Sequence, residues 1–371
     1  MKRKILIFIG CIVLVTGTGM SVLNQSRFGQ LPRGERLERI KASPNYRNGE
    51  FQNINETPVI SGDKSRFKVM MDFLFTRKVR VTPESMLPVV KTDLKSFSKE
   101  DDVLVWFGHS SYFMQIEGKT YLVDPVLSSY ASPFSFINKA FKGTNIYSHN
   151  DFPTIDYLII THDHWDHLDY QTVMDLKPKI NHVVCGLGVG QHFEYWGFDV
   201  ASLTELDWYE ATDLGQGNIM TATPARHFSG RGLRGNKTLW TSFVLQTPQY
   251  NIFIGGDGGY DEHFKLIGTQ YGPFDLAILE QGQYDKNWNL IHLMPDLVYK
   301  TAEDLKAKSI LPVHNSRFAL ASHQWDEPLN KISSNHTDSV ISVKTPKIGE
   351  LVFLNDSIKQ YEKWWKDERR E

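Results

Sequence analysis

The chain has 371 residues, 41% of them hydrophobic and 12% aromatic, with a formal net charge of −2. That length holds one large domain or two ordinary ones with a substantial core, and the balanced charge excludes the basic footprint of a nucleic-acid binder. The two cysteines, Cys11 and Cys185, exclude a disulfide framework and a cysteine-rich zinc module, which leaves histidine and carboxylate to hold any metal.

Residues 1–26 read as a signal or anchor segment. "MKRK" is basic, "ILIFIGCIVLV" follows without a polar residue, and no charge appears from Ile5 until Arg27. A basic flank before an apolar run directs a chain to the membrane with its N-terminus in the cytoplasm. The segment lacks a clean small-residue cleavage site. The expectation is therefore a retained anchor in a bacterial inner membrane with the body facing the periplasm; an exported, cleaved form is the alternative. Residues 27–99 form a polar extension punctuated by proline, glycine and asparagine. The pattern predicts a short helix over Gly34–Ala42, stopped by Ser43-Pro44. "DKSRFKVMMDFLFTRK" then sets apolar residues at helical spacing between basic flanks, which predicts either a helix docked on the body or an amphipathic surface that touches a bilayer.

Residues 100–350 read as the body. "VLVWFGHSSYFMQIEGKTYLVDP" alternates as three strands, with Glu117-Gly118-Lys119 as one turn. "YLIITHDHWDHLDYQTVMDL" and "HVVCGLGVGQHFEYWGF" each read as strand, loop and helix, and "TLWTSFVLQTPQYNIFIGGDGGYDEHFKLIG" as two strands, a loop and a helix. "FDLAILEQG" and "KSILPVHNS" are strands that run into loops. Early strands meander and later ones alternate with helices, which predicts an α/β fold of packed sheets with helices outside. Residues 351–371 read as a C-terminal tail.

The chemistry concentrates at strand ends, where rigid scaffolds present functional loops. His162, His164, Asp166 and His167 follow directly on the apolar "IDYLII". A solvated polar loop accounts for one histidine there, but not for three with an interleaved aspartate. Imidazole and carboxylate are the ligands that zinc and related divalent ions favour. His227, Asp257 and His314 repeat the same grammar after "IMTATPAR", "NIFIGG" and "SILPV". The seven side chains suffice for two divalent ions, zinc foremost, sharing Asp257 as a bridge. Arg226, Arg231, Arg234 and Lys237 flank His227 as a phosphate clamp or as a solvated basic loop.

"THDHWDHLD" resembles the H-x-H-x-D-H signature of the metallo-β-lactamase superfamily, and His227, Asp257 and His314 fall in the order of its remaining ligands. "VDPVLSS", "NKTLW", "GGDGGY", "GPFDLAILEQGQYD" and "VHNSRFAL" are similar to stretches of N-acylphosphatidylethanolamine-hydrolysing phospholipase D and its bacterial relatives, across about residues 100–330. The resemblance implies an αββα sandwich, with the N-terminal membrane segment and extension added. It implies His162, His164 and His227 on one metal, Asp166, His167 and His314 on the other, and Asp257 between them. His292, in "NLIHLMP", matches a phospholipase histidine followed three residues later by proline, as a catalytic leaving-group acid or a supporting residue. The chain departs from the phospholipase at Asn315 and Ser316, where tryptophan and glycine stand, and in a shorter loop from Tyr284 to His292. Both stretches are expected near the substrate.

Two divalent ions about 3.5–4 Å apart can bridge a water and lower its pKa towards 7, giving a hydroxide for attack on an ester. The expected function is a metal-dependent phosphodiesterase of phospholipase D type acting on N-acylated or related glycerophospholipids at a membrane surface, with Asp166 and His292 as catalytic residues. Hydrolysis of a carboxylic ester, lactone or amide, and non-catalytic metal binding in the envelope, are the alternatives.

Overall fold

The computed structural model describes residues 17, 19–62, 65–76, 78–334, 340–356 and 358–369. The extension contributes a hairpin of β1 (Tyr46–Arg47) and β2 (Glu50–Phe51). The first large sheet then takes β3 (Val103–Trp106), β4 (Tyr112–Ile116), β5 (Lys119–Val123), β6 (Ile155–Ile160), β7 (Ile180–Gly186) and β8 (Leu203–Leu206). The second takes β9 (Ala211–Gly215), β10 (Asn218–Thr223), β11 (Ser242–Gln246), β12 (Asn251–Ile254), β13 (Leu276–Glu280), β14 (Ser309–Val313) and β15 (Ser342–Val343). Finally β16 (Leu351–Phe353) returns to the first sheet. The orders are β16-β3-β4-β5-β6-β7-β8 and β15-β14-β13-β12-β11-β10-β9.

Each sheet is antiparallel over one half and parallel over the other. Pairs β16/β3, β3/β4 and β4/β5 are antiparallel, whereas β5/β6, β6/β7 and β7/β8 are parallel. The second sheet repeats the plan, antiparallel from β9 to β12 and parallel from β12 to β15. Parallel neighbours need a crossover. Helices Tyr170–Leu176 and Gly190–Tyr195 serve the first sheet, and His263–Gln270, Val298–Asp304 and Glu327–Ser334 the second.

The period of two along each strand sorts side chains into layers. On β3, Leu104 and Trp106 enter the core between the sheets, while Val105 enters the core that covers the outer face with Val173, Leu176 and Phe193. On β12, Ile252 and Ile254 face the first sheet, while Phe253 faces Phe264, Ile267 and Val298. Three apolar layers thus separate helix, sheet, sheet and helix, the expected αββα sandwich.

The extension is part of this body. Ile40 on helix Gly34–Ala42, placed as predicted, and Phe51 pack with Leu187, Leu239 and Trp240. Helix Arg66–Phe75 begins at Ser65, whose side chain accepts from the Lys68 amide, and it buries Val69 while exposing Phe67, Met70 and Phe75. Among the described residues of the expected tail, β16 extends the first sheet, and Trp364 and Trp365 are buried in the core between the sheets, so this part belongs to the body. Two adjacent indoles find that core because their apolar area is too large to leave in water. The apolar run read as an anchor lies, up to residue 16, outside the described residues. Among the described residues no helix is long and apolar enough to cross a membrane.

Candidate metal centre

The C-terminal ends of β3, β5 and β6 in one sheet and of β10, β12, β13 and β14 in the other lie at one end of the sandwich. The loops leaving them carry all seven expected ligands. His162 Nε2 stands 2.9 Å from His164 Nδ1, and His227 Nε2 stands 3.2 Å from that same atom. Asp257 faces the other side of this trio, its Oδ2 3.9 Å from His162 Nε2 and 3.7 Å from His227 Nε2. Its Oδ1 lies 3.2 Å from His167 Nε2 and 3.0 Å from His314 Nδ1. Asp166 completes the second group, with Oδ2 3.7 Å from His167 Nε2 and 3.9 Å from His314 Nε2. The side chains thus gather in two groups, with Asp257 between them.

These residues suit divalent cations on their own chemistry. All seven are nitrogen or carboxylate donors, and ligand atoms within each group lie within 4.8 Å of one another. His167 Nε2, His314 Nε2 and Asp257 Oδ1 are buried without a hydrogen-bond partner. A buried polar atom left unpaired is costly, and a cation at the convergence point would satisfy several at once. Burial is the first cause that holds His162, His227 and His314 well below the usual imidazole range, with neighbouring imidazoles adding to it in each case. Neutral imidazole is the form that ligates.

Residues outside the ligand set aim the ligands. Asp124, at the end of β5, accepts from His167 Nδ1 at 2.8 Å, from the Thr161 amide at 2.9 Å and from Thr161 Oγ1 at 2.6 Å. His227 Nδ1 meets the Ile291 carbonyl at 2.8 Å, and Ser110 Oγ lies 2.9 Å from His314 Nδ1. His109 Nε2 lies 2.9 Å from Asp166 Oδ2. Such partners fix ring orientation and tautomer. A reciprocal pair of backbone bonds ties the two sheets together here: the His109 amide donates to Asn315 O, and the His314 amide donates to His109 O. His109, Asp124 and His314 have φ of 52°, 41° and 67°. Non-glycine residues keep that conformation only where surrounding bonds over-determine it. Gly282 is required beside them, since a Cβ there would meet the His314 carbonyl oxygen at 2.2 Å.

The centre opens into a cavity of about 390 Å³. His164, Asp166, His227, Asp257, His292 and His314 form its floor, and Val59, Ile60, Val69, Met70, Phe228 and Trp288 give it an apolar wall. His292 lines this cavity too, with Nδ1 3.1 Å from Glu280 Oε2.

Two expectations need correction. The basic residues near His227 are not a clamp over the metals, because none lines this cavity. Arg231 is buried and donates to the carbonyls of Arg27, Asp163 and Leu168; Arg226 donates to Thr57 Oγ1, Glu56 O and Tyr260 O; Lys237 donates to Gly49 O. Arg231, Arg234 and Lys237 line a separate cavity of about 370 Å³ beside Asp163 and His192. Asn315 and Ser316 also face away from the substrate space. The Asn315 amide donates to Gln281 O and Val313 O, and Ser316 Oγ donates to Asn315 Oδ1, so these departures belong to the frame behind the ligand loop. The loop before His292 does reach the cavity, through Trp288 and Ile291. Sequence reading missed His109, Asp124 and Glu280; the Asp124-Pro125 strand end in "VDPVLSS" was the available signal for one of them.

Residues 119–315, just over half of the chain, match the family model described as a beta-lactamase superfamily domain. An uncharacterized protein of Mycobacterium tuberculosis is 31% identical over 328 residues, covering 87% of this chain and 88% of its own. N-acyl-phosphatidylethanolamine-hydrolyzing phospholipase D 1 of Caenorhabditis elegans is 29% identical over 264 residues, covering 67% and 74%. Among solved structures, the metallo hydrolase Igni18 of Ignicoccus hospitalis is similar in fold, with a TM-score of 0.51 at 20% identity over 68% of this chain and 97% of its own.

Proposed function

The chain belongs to the metallo-β-lactamase superfamily as a metal-dependent hydrolase, and from that premise we propose that it cleaves phosphodiester bonds of glycerophospholipids in the manner of a phospholipase D. The observation that carries this reading is a seven-ligand centre opening onto an apolar-walled cavity that also holds His292. The likeness to the nematode phospholipase supports the substrate class. His162, His164 and His227 would hold one ion and Asp166, His167 and His314 the other, with Asp257 serving both. When bound, such ions supply Lewis acidity towards phosphoryl oxygens and towards water.

The chain's own groups do the rest. Val59, Ile60, Val69 and Met70 offer an acyl segment a dry wall beside the charged floor, and burial of that segment would orient the diester. In this reading His292, on the cavity floor, exchanges a proton with the departing oxygen. Helix Arg66–Phe75 supplies the rim of the cavity with Met70 and exposes Phe67 and Phe75 nearby on the same element, which suits contact with a lipid surface. A retained anchor would place this surface at the outer face of an inner membrane; fractionation followed by protease treatment of spheroplasts tests that placement. A protein protected inside the cell would overturn it.

The activity is tested by incubating metal-loaded protein with N-acylphosphatidylethanolamine in mixed micelles and identifying products by mass spectrometry. Phosphatidic acid with N-acylethanolamine is the expected pair. Free fatty acid alone would move the reading to carboxylic ester hydrolysis, and intact lipid would overturn it for this substrate class.

A further inference from the structure

Glu280 closes β13 and is only 2% exposed. A carboxyl group in that position is costly unless several donors meet it. Three do. The Gly258 amide donates to Oε2 at 3.2 Å, the Leu293 amide donates to Oε1, and His292 Nδ1 lies 3.1 Å from Oε2. One of these partners comes from the loop that carries Asp257, and two from the segment that carries His292. The buried carboxyl group therefore fastens both loops to the end of one strand.

The consequence falls on the His292 ring. It lies edge-on to His227 with ring centres 5.1 Å apart and stacks against His314 at 5.5 Å. These neighbours and the Glu280 bond fix its plane. Because Nδ1 is committed to Glu280, Nε2 is the nitrogen left to the cavity that His292 lines. The side chain is 14% exposed, enough for a substrate oxygen to reach it.

We propose that Glu280 is a positioning residue that holds the His292 proton on Nδ1 and presents Nε2 to the departing oxygen, so that His292 completes the leaving alcohol. This rests on the phosphodiesterase reading. The step balances as follows: a water oxygen bonds to phosphorus and loses its proton to solvent, the P–O bond to the alcohol breaks, Nε2 delivers its proton to the alcohol oxygen, and Nε2 then takes up a proton from solvent. A diester and a water become a monoester and an alcohol, and His292 is restored. A carboxyl group that orients a catalytic imidazole in this way acts through tautomer and geometry rather than by touching substrate.

The test uses metal-loaded protein and phosphodiesters that share one phosphoryl group but differ in leaving group, from p-nitrophenol through phenol to a short alkyl alcohol. Proton delivery matters most for the poorest leaving group. Glu280→Ala and His292→Ala are expected to lower kcat about 10–100-fold on the alkyl diester, the scale of losing an outer partner. They should lower it far less on the p-nitrophenyl diester, with KM little changed. Glu280→Gln keeps a carbonyl acceptor for Nδ1–H and should recover most of the loss. The double variant should be no worse than His292→Ala. A uniform loss across leaving groups, or loss of bound metal by elemental analysis in Glu280→Ala, overturns the assignment. A second readout needs no turnover. In ¹⁵N spectra of the zinc-loaded protein, the His292 signal, identified by its disappearance in His292→Ala, should report a proton on Nδ1 and become a tautomer mixture in Glu280→Ala. An unchanged tautomer in that variant overturns the proposal. If the wild type cleaves none of the diesters, the phosphodiesterase reading fails, while the spectra still decide whether Glu280 holds His292.

Discussion

Asp257 stands among four imidazoles, those of His162, His167, His227 and His314. Asp166 meets the second group and His109. The two aspartates should therefore fail differently. Asp166→Asn should keep the fold and one bound ion while weakening the second ion by at least the 10–100-fold or so that follows loss of an outer partner. Asp257→Asn removes charge from both groups and should cost more in metal content and in kcat/KM. Elemental analysis beside kinetics decides this, and near-full hydrolysis by either variant would contradict the assigned roles. Proton linkage gives a further check. Burial works against charge on His167, yet Asp257, Asp166 and Asp124 outweigh it and hold the metal-free imidazolium well above the usual range. A raised folded-state pKa stabilises the metal-free fold fully below the unfolded pKa of about 6.5, and that contribution is lost as pH rises through the raised value. Because a metal needs the neutral ring, binding must expel that proton, and affinity should rise with pH over the same interval. Calorimetry in buffers of different ionisation enthalpy measures the release; binding with no proton release would contradict it. The gathering of these histidines and aspartates was legible because they follow apolar strands. His109 was not, since it lies 57 residues before its partner Asp166, in a turn whose serines read equally well as a solvated loop. Glu280 was hidden because the terminal residue of an apolar strand looks like its solvent-facing end.

Among elements, the instructive case is the C-terminal segment. "SIKQYEKWWKDERRE" is mostly charged, so local composition reads as a tail. The register Leu351↔Val105, Val352↔Leu104 and Phe353↔Val103 makes β16 an edge strand instead, and no local pattern announces a pairing with the first strand of the body. Trp365 is 1% exposed, and its Nε1 donates to Asn330 Oδ1 on helix Glu327–Ser334. Trp365→Ala should cost about 3–5 kcal/mol, as large-to-small core changes do. Denaturant unfolding measures it, and a loss well under 1 kcal/mol would return the segment to the role of a tail. Helix Gly34–Ala42 was legible because its stop, Ser43-Pro44, is encoded locally. The basic loop after His227 was legible only in part: Arg234 is exposed, as a solvated loop predicts, whereas only tertiary structure shows that Arg231 donates to buried carbonyls.

The whole molecule is two similar half-structures joined at one end by chemistry. The first sheet supplies His162, His164, Asp166 and His167; the second supplies His227, Asp257 and His314. Alternation of strands and helices announced the layers, but which strands share a sheet depends on long-range pairing and was not readable. Each ligand group draws on both sheets, since His227 joins the His162 group and His314 joins the His167 group. Bound ions would therefore cross-link the sandwich where the His109–Asn315 and His314–His109 backbone bonds already fasten it. Unfolding scatters the ligands, so metal binds the folded state selectively, and the stabilisation follows mass action at about 2.7 kcal/mol when free metal is a hundredfold above its dissociation constant. Stripping the protein with a chelator should lower the thermal midpoint by several degrees, and titrating zinc back should restore it in step with occupancy. Asp257→Asn should flatten that response, because it weakens both groups. Equal midpoints for the stripped and loaded wild type would mean that the cluster does not bind metal in the folded state, and the hydrolase reading would lose its chemical basis.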